Sequence, residues 1–326
     1  MRPPTPERLR FARDRPAHVA ILADVHGIFA PLAAVLADLE TVRPDRVVVN
    51  GDLVNRGPDG VAVLERLERV PGPRVLGNHD DLMRMWVERD PALPPAWFDE
   101  PFWRGNAWCA ERLERSGWLD RIATWPLAVR LDVDDGPSAL VTHGSPRHYR
   151  EGYGPHLADA SVSEIAEMHP VEMFVGSHTH RPMDRTVGRH RVVNTGAVGT
   201  PFNGDPRAHY LLLHGDGTSW EPEFRRVAYD REAALESFET SGYLEHGGLA
   251  ARIHWVEAAT ARSLLTPFLM WCDERDGAAL DLDSWRRFVR ERAGRIEAPD
   301  DVGARVVRRS DLAGPGGTQG ASPSRG

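Results

Sequence analysis

Short runs of aliphatic and β-branched residues recur along the first half of the chain, and a polar cluster follows each of them. The runs are Val19–Leu22, Val47–Val49, Arg74–Leu76, Ala139–Val141 and Met173–Val175. Apolar runs of this length without alternation are typical of strands that are buried on both faces. Because ligand sites form at the carboxyl ends of such strands, we expect the polar clusters to meet at one rim.

Segments with helical spacing of apolar residues separate the first runs. The predicted helices span residues 31–40, 58–69 and 80–86. Crossovers of this length predict a mainly parallel sheet that is covered by helices. Further along the chain, alternating segments predict antiparallel strands at residues 189–193, 208–214 and 221–227.

The same patterns predict the domain organisation. We expect a basic N-terminal arm (1–16), a catalytic domain (17–228) with an insert rich in Trp and Pro (91–126), a C-terminal helical appendage (229–296) and a disordered tail (297–326). The insert, with one helix near Arg104–Ser116, is either a cap over the site or a helical excursion on its flank. In a cap, exposed Trp97 and Trp103 would stack on a nucleobase. The appendage packs on the catalytic domain or forms a homodimer surface.

Composition narrows the class of protein. A net charge of −8 argues against binding to a nucleic-acid polymer, because that affinity depends mostly on basic patches. No run approaches the ~20 apolar residues of a membrane span, and the basic segment Met1–Arg15 lacks the apolar core of a secretory signal. Cys109 and Cys272 fit a reducing compartment rather than a disulfide framework. We therefore expect a cytoplasmic protein without a membrane partner.

The polar clusters contain the residue types that bind divalent metal ions. They are Asp24-Val25-His26, Gly51-Asp52, Gly77-Asn78-His79-Asp80, His143-Gly144 and Gly176-Ser177-His178-Thr179-His180. Two cations roughly 3.5–4 Å apart can clamp the attacking and leaving oxygens of a phosphoryl displacement. Such a pair needs an anionic bridge, and Asp52 is the candidate. In extended backbone, the residues of each pair Asp24/His26 and His178/His180 would point to the same side.

The order of these clusters resembles the pattern of the calcineurin-like metallophosphoesterases: D-x-H, G-D, G-N-H-[DE], H-G and G-x-H-x-H. The resemblance covers roughly residues 17–228. It implies an α/β fold, in which two facing mixed β-sheets flanked by helices form a four-layer α-β-β-α sandwich. It also implies a phosphoesterase that uses two divalent metal ions.

The resemblance implies a role for each polar residue. The first metal would be held by Asp24, His26, Asp52 and His180, and the second by Asp52, Asn78, His143 and His178. His79 would protonate the leaving oxygen or stabilise its charge, and Asp80 would orient that imidazole. These ligands suit borderline ions, so Mn, Fe, Zn, Ni and Co remain open.

Two arginines are candidates for binding the substrate phosphate. Arg56 lies in Gly51-Asp52-Leu53-Val54-Asn55-Arg56-Gly57, which looks like the G-D-x-x-D-R-G block of serine/threonine protein phosphatases, with Asn55 in place of Asp. Arg147 lies in H-G-S-P-R, which looks more like small bacterial phosphodiesterases and diadenosine-tetraphosphatase-like proteins. Each arginine also has a simple alternative interpretation as a solvated surface residue.

Three functions fit these patterns. The first is a phosphodiesterase that acts on a small phosphorylated or nucleotide substrate through a metal-activated water. The second is a phosphomonoesterase of protein phosphatase type, for which a phosphoprotein is the substrate. The third is a catalytically silent scaffold of the same fold, which the complete ligand set and His79 argue against.

Overall fold

The computed structural model describes residues 6–275 and 277–292, and the strands in this part of the chain form two sheets. The strands are β1 (Glu7–Phe11), β2 (Ala17–Leu22), β3 (Arg46–Val49), β4 (Ala128–Val133), β5 (Ser138–Thr142), β6 (Met173–Gly176), β7 (Met183–Val187), β8 (His190–Asn194), β9 (Ala208–Gly215) and β10 (Trp220–Val227). One sheet has the order β1-β4-β5-β6-β8-β7 and the other β10-β9-β2-β3. Both contain parallel and antiparallel pairs.

The helices lie outside the two sheets. They are α1 (Phe29–Val42), α2 (Gly60–Glu68), α3 (Asn78–Glu88), α4 (Arg104–Arg115), α5 (Trp118–Ile122), α6 (Asp159–Met168), α7 (Arg231–Thr240), α8 (Tyr243–His246), α9 (Gly248–Thr260), α10 (Leu265–Asp273) and α11 (Leu282–Arg292). Within the described residues, no helix combines the length and the apolar character that crossing a membrane requires.

The side chains of β2 show how the layers stack. Val19 and Ile21 belong to the same core cluster as Val141 of the other sheet, whereas Leu22 belongs to the cluster that contains Leu32 of α1. Successive strand residues therefore pack alternately on a sheet and on a helix, and each buried aliphatic side chain stabilises the fold by about 1.5–3 kcal/mol. Burial on both faces explains the uninterrupted apolar runs. The predicted fold class, two facing mixed sheets flanked by helices, is confirmed.

Two details of the strand prediction were wrong. The ligand-bearing strands do not share one mainly parallel sheet, because β2 and β3 lie in one sheet and β5 and β6 in the other. Residues 74–76 do not form a strand but only a single parallel bridge between Val49 and Arg74. The preceding Pro73 has no N–H for a ladder, and the N–H of Leu76 donates to the carbonyl of Pro126 instead (2.8 Å).

The insert packs beneath the C-terminal helices. Trp103 is buried, and Trp97 is half-buried with its ring 4.6 Å from that of Trp103. The core cluster around them also contains Phe268 and Trp271 of α10. The hypothesis of a cap that exposes Trp103 for base stacking is therefore contradicted at this residue, because the helices after β10 cover it.

The ends of the chain are described only in part. Strand β1 lies within the segment predicted as an N-terminal arm and pairs in parallel with β4. The predicted disordered tail, residues 297–326, lies outside the described residues.

Candidate metal centre

The loops that leave β2 and β3 run side by side. The N–H of Asp24 donates to the carbonyl of Gly51 (3.0 Å), and the N–H of His26 donates to that of Asp52 (3.0 Å). Gly51 has a φ of +80°, and a Cβ there would lie 2.7 Å from backbone atoms of Gly77. The absence of a side chain at Gly51 therefore lets a third loop, the one that begins α3, approach the other two.

Many of the ligand candidates have a left-handed backbone. The φ angles are 54° for Asp24, 51° for His26, 54° for Asp52, 57° for His178 and 58° for His180. The expectation of an extended backbone at the two D-x-H and H-x-H pairs was therefore wrong. A non-glycine residue in this region costs of order 1–3 kcal/mol, and such residues cluster at functional sites.

Four side chains form the first ligand group: Asp24, His26, Asp52 and His180. Nε2 of His26 lies 3.1 Å from Nε2 of His180 and 3.7 Å from Oδ2 of Asp52. Nε2 of His180 lies 3.4 Å from Oδ1 of Asp24. All four residues are buried, so their polar atoms converge in a space shielded from water.

Asp52 also belongs to a second group, with His143 and His178. Nε2 of His143 lies 3.2 Å from Oδ2 of Asp52 and 3.2 Å from Oδ1 of Asn78. The two groups therefore share one carboxylate, as expected for a bridging ligand. All seven residues predicted as metal ligands lie in these two groups or, for Asn78, directly beside them.

The chemistry of these groups fits divalent cations. Both carboxylate oxygens of Asp24 are buried, and within residues 6–275 and 277–292 they have no hydrogen-bond partner. Buried carboxylates without partners are costly, and a missing ion is one explanation for them. Nδ1 of His143 lies 2.9 Å from the carbonyl of Asn50, and Nδ1 of His180 lies 2.6 Å from that of Thr200. These contacts leave both Nε2 atoms available as ligands.

The electrostatics agree with this assignment. Burial lowers the pKa of His26 and of His180 well below the usual value, so both imidazoles are neutral, as metal ligands must be. Burial disfavours the charged form of His143, but the neighbouring Asp52 and Asp24 outweigh it and raise the pKa to about 9. The centre therefore favours positive charge strongly enough to draw a proton onto a buried imidazole.

His79 lies at the edge of the first group, with its ring 4.9 Å from that of His26. Its Nδ1 contacts Nδ2 of Asn55 (3.0 Å), and that amide nitrogen also donates to Oδ1 of Asn106 in α4 (3.1 Å). Desolvation lowers the pKa of His79 to about 3. Asn55 therefore contacts this imidazole, and Asn106 helps to hold the amide of Asn55; sequence reasoning did not assign either residue that role.

Among the described residues, the carboxylate of Asp80 forms its hydrogen bonds with backbone N–H groups and not with His79. Its carboxylate accepts the N–H groups of Asp52 (2.8 Å), Leu53 (2.8 Å) and Gly77 (3.1 Å). The side chain at the start of α3 points back to the loop after β3, and the predicted role of Asp80 in orienting or tuning His79 stays a prediction. Asp80 thus holds the backbone of Asp52 in place.

The two arginine candidates lie in different environments. Arg56 is buried beside Glu257 of α9, with Nη1 3.4 Å from Oε2, and its guanidinium carbon lies 5.7 Å from the ring of Phe202. Phe202 in turn stacks on His180, so Arg56 is close to the first ligand group. Arg147 is exposed and forms ion pairs with Glu151 and Glu164. Its role in phosphate binding stays a prediction.

A family model matches most of the sandwich. Residues 18–218, more than half of the chain, match the model described as a calcineurin-like phosphoesterase superfamily domain. The matched range contains every predicted site residue. The family inferred from the five motifs is therefore confirmed.

Similar proteins agree with the match. A symmetrical bis(5'-nucleosyl)-tetraphosphatase of Chromohalobacter salexigens is 34% identical over 134 residues, which cover 39% of this chain and 45% of that protein. The chain thus spans less than half the length of this relative. An uncharacterised protein of Methanocaldococcus jannaschii is 23% identical, over 67% of this chain and 90% of its own length.

A solved structure shares the fold. The metallophosphoesterase of Sphaerobacter thermophilus superimposes with a TM-score of 0.57 and 22% sequence identity, over 75% of this chain and 99% of that one. At this identity, the likeness concerns the architecture alone.

Proposed function

The chain belongs to the calcineurin-like phosphoesterase superfamily, and on that premise we propose that it is a metal-dependent hydrolase of small phosphorylated substrates, most simply a phosphodiesterase acting on nucleotides. The observation that carries the proposal is the sharing of Asp52 between two groups of ligands. Two cations joined by a carboxylate are suited to displacement at phosphorus.

We propose that all seven ligand candidates serve one dinuclear centre. Asp24, His26 and His180 would hold one ion, Asn78, His143 and His178 the other, and Asp52 both. When bound, the two ions would supply the Lewis acidity that neutralises phosphate oxygens and activates a water. Mn, Fe, Zn, Ni and Co all remain candidates.

The other residues bind and orient the substrate. Arg56 offers a guanidinium beside the first ligand group, where it can bind phosphate oxygens by charge-assisted hydrogen bonds. His79 presents a neutral imidazole that can donate a hydrogen bond to the leaving oxygen. No nucleophilic side chain is needed, since water is the attacking group.

A nucleotide substrate is supported by two observations. The relative from Chromohalobacter salexigens is named a bis(5'-nucleosyl)-tetraphosphatase. The net charge of −8 disfavours a long polyanion, whereas a short one can be neutralised locally by the ions and Arg56. A cytoplasmic location is part of the proposal, because Cys109 and Cys272 are both buried as free thiols.

The buried position of Arg56 favours a second candidate, a phosphomonoesterase. A guanidinium binds the terminal oxygens of a phosphate, and a dianionic monoester offers more of these oxygens and more negative charge than a diester. A catalytically silent scaffold is disfavoured because His79 and all seven ligand candidates lie at one site.

The test compares three substrates on chelated protein that is re-supplied with Mn²⁺, Ni²⁺ or Zn²⁺. We expect faster turnover of bis-p-nitrophenyl phosphate than of p-nitrophenyl phosphate, and turnover of diadenosine tetraphosphate. Preference for the monoester would establish the second candidate instead. Two bound ions without turnover of any substrate would leave the scaffold.

A further inference from the structure

Helix α9 places the buried carboxylate of Glu257 beside the guanidinium of Arg56, the candidate for binding phosphate. We infer that Glu257 is a positioning residue that holds the guanidinium of Arg56 in the orientation that receives a substrate phosphate. The inference rests on the proposed function, because it concerns the same site. It gives the C-terminal helices a part in catalysis, although they lie outside the matched residues 18–218.

The backbone of Arg56 is fixed independently of Glu257. Its φ is 65°, and its N–H donates to Oδ1 of Asn55 (2.8 Å). The side chain, in contrast, has a long flexible stem whose end must be ordered by contacts. The contact that orders it is the ion pair between Nη1 and Oε2 of Glu257, at 3.4 Å.

Glu257 is itself held firmly. Its other oxygen, Oε1, accepts the N–H groups of Leu264 (2.7 Å) and Leu265 (2.9 Å) at the start of α10. One carboxylate therefore ties the corner between α9 and α10 to Arg56, about 200 residues earlier in the chain. The side chain of Glu257 is 1% exposed and that of Arg56 10%, so the pair is shielded from solvent screening.

The guanidinium retains hydrogen-bonding capacity. Its Nε is buried and has no hydrogen-bond partner among the described residues. A donor in that state is costly unless another group satisfies it, and a bidentate phosphate is such a group. The ring of Phe202 stacks on His180 at 4.4 Å and lies 5.7 Å from the guanidinium carbon of Arg56, so the guanidinium is close to the first ligand group.

A purely structural ion pair makes different predictions from a positioning pair. If Glu257 only stabilised the fold, its replacement would lower the melting temperature and leave substrate affinity unchanged. If it positions Arg56, its replacement weakens phosphate binding while turnover of bound substrate changes less. The two roles are therefore separated by comparing KM with kcat.

The informative variant is Glu257→Gln. Glutamine keeps the volume and an oxygen for the N–H groups of Leu264 and Leu265, but it removes the charge that faces Arg56. We expect KM for the diester and the Kd for inorganic phosphate, measured by calorimetry on Mn²⁺-loaded protein, each to rise roughly tenfold. The matched control is Glu245→Gln, which changes an exposed glutamate of α8 and should leave both values unchanged.

A double-mutant cycle with Arg56→Ala completes the test. In the Arg56→Ala background, Glu257→Gln should have no further effect on the Kd for phosphate, because the group that it orders is gone. Additive effects, or an unchanged Kd in a folded Glu257→Gln protein, would overturn the inference. Should Glu257→Gln fail to fold, Glu257→Asp keeps the charge but withdraws it by about 1.5 Å, and the same cycle applies.

The phosphate measurement does not depend on turnover. Phosphate binding that depends on Glu257, in a protein that hydrolyses none of the three substrates, would support the inference and contradict the proposed function. Hydrolysis of the substrates, with a Kd for phosphate that does not change on replacement of Glu257, would support the proposed function and contradict the inference.

Discussion

Nδ2 of Asn55 lies 3.0 Å from Nδ1 of His79, and this contact determines which nitrogen of the imidazole carries the proton. The orientation of the amide follows from its other end, where Oδ1 accepts the backbone N–H of Arg56. Since Nδ2 can only donate, Nδ1 of His79 must accept, and the proton of the neutral ring resides on Nε2. A neutral ring donates a hydrogen bond well but releases its proton poorly. In the proposed reaction, this ring would suit leaving groups that are stable as anions, such as nucleotides.

Replacing Asn55 by Asp should change that preference. A carboxylate beside Nδ1 favours a proton there, stabilises the imidazolium and raises the pKa of His79 from about 3. Because the imidazolium is populated below the raised pKa, hydrolysis of alkyl phosphates, which have poor leaving groups, should increase as the pH falls through it. The backbone should tolerate the change, since Asp, like Asn, adopts the φ of 68° found at this position.

The measurement for Asn55→Asp is the pH profile of kcat for an alkyl and a p-nitrophenyl ester. We expect the rate for the alkyl ester to gain a dependence on pH that the p-nitrophenyl ester lacks. Asn106→Asp is the comparison variant, because its carboxylate is one residue removed from the ring. Identical profiles for both esters in Asn55→Asp would show that His79 does not act on the leaving group.

Asp80→Asn should affect the metal centre through the backbone. The carboxylate accepts N–H groups from the loop after β3 and from Gly77, and an amide places its own N–H₂ against one of these donors. Hydrogen bonds to a charged group contribute about 1.5–3 kcal/mol, so we expect the free energy of unfolding to fall by about 3 kcal/mol. Urea denaturation measures this loss. Metal affinity should fall together with stability. A variant with normal stability and slowed turnover alone would support the predicted role of Asp80 in orienting His79.

Substitutions in the two ligand groups should separate the two ions. Asp52→Asn changes the shared carboxylate, so both ions should bind more weakly, by roughly 10–100-fold. Asp24→Asn should weaken only one ion, and His178→Ala only the other. Calorimetric titration with Mn²⁺ gives the stoichiometry and affinities. If Asp24→Asn and Asp52→Asn lost the same single ion, Asp52 would not be a bridge.

Six of the seven ligand candidates could be predicted from the sequence because each follows a buried strand; Asn78 follows residues 74–76, which form only a single bridge. A buried strand leaves an uninterrupted apolar run, and the polar residues after it stand out against that run, as Asp24 does after Leu22. The division of the strands between two sheets left no such signal. A run that is buried on both faces looks the same whichever sheet contains it.

The contacts that orient the site were less predictable. The partners of Asp80 and Glu257 lie far from them in the sequence. The sequence around a buried carboxylate does not identify the group that it contacts. The left-handed backbone at Asp24 and His178 was missed because Asp and His give only a weak signal for it. Asn55 stood out in the sequence only as a departure from the family block, and nothing there indicated its contact with His79.

The last prediction concerns Trp103, for which the sequence left open an exposed position on a cap. The residue is buried, and its ring lies 4.7 Å from that of Phe102 and 4.6 Å from the tilted ring of Trp97. Trp103→Ala should therefore leave a cavity and cost about 3–5 kcal/mol of unfolding free energy. Denaturation with guanidinium chloride measures this loss, and KM values for diadenosine tetraphosphate and bis-p-nitrophenyl phosphate should stay at their wild-type ratio. Trp97→Ala, at a half-buried position, is the control and should cost less. A ratio that changed in Trp103→Ala, with stability unaffected, would mean that this side chain contacts the nucleotide, because a packing role alone cannot distinguish the two substrates.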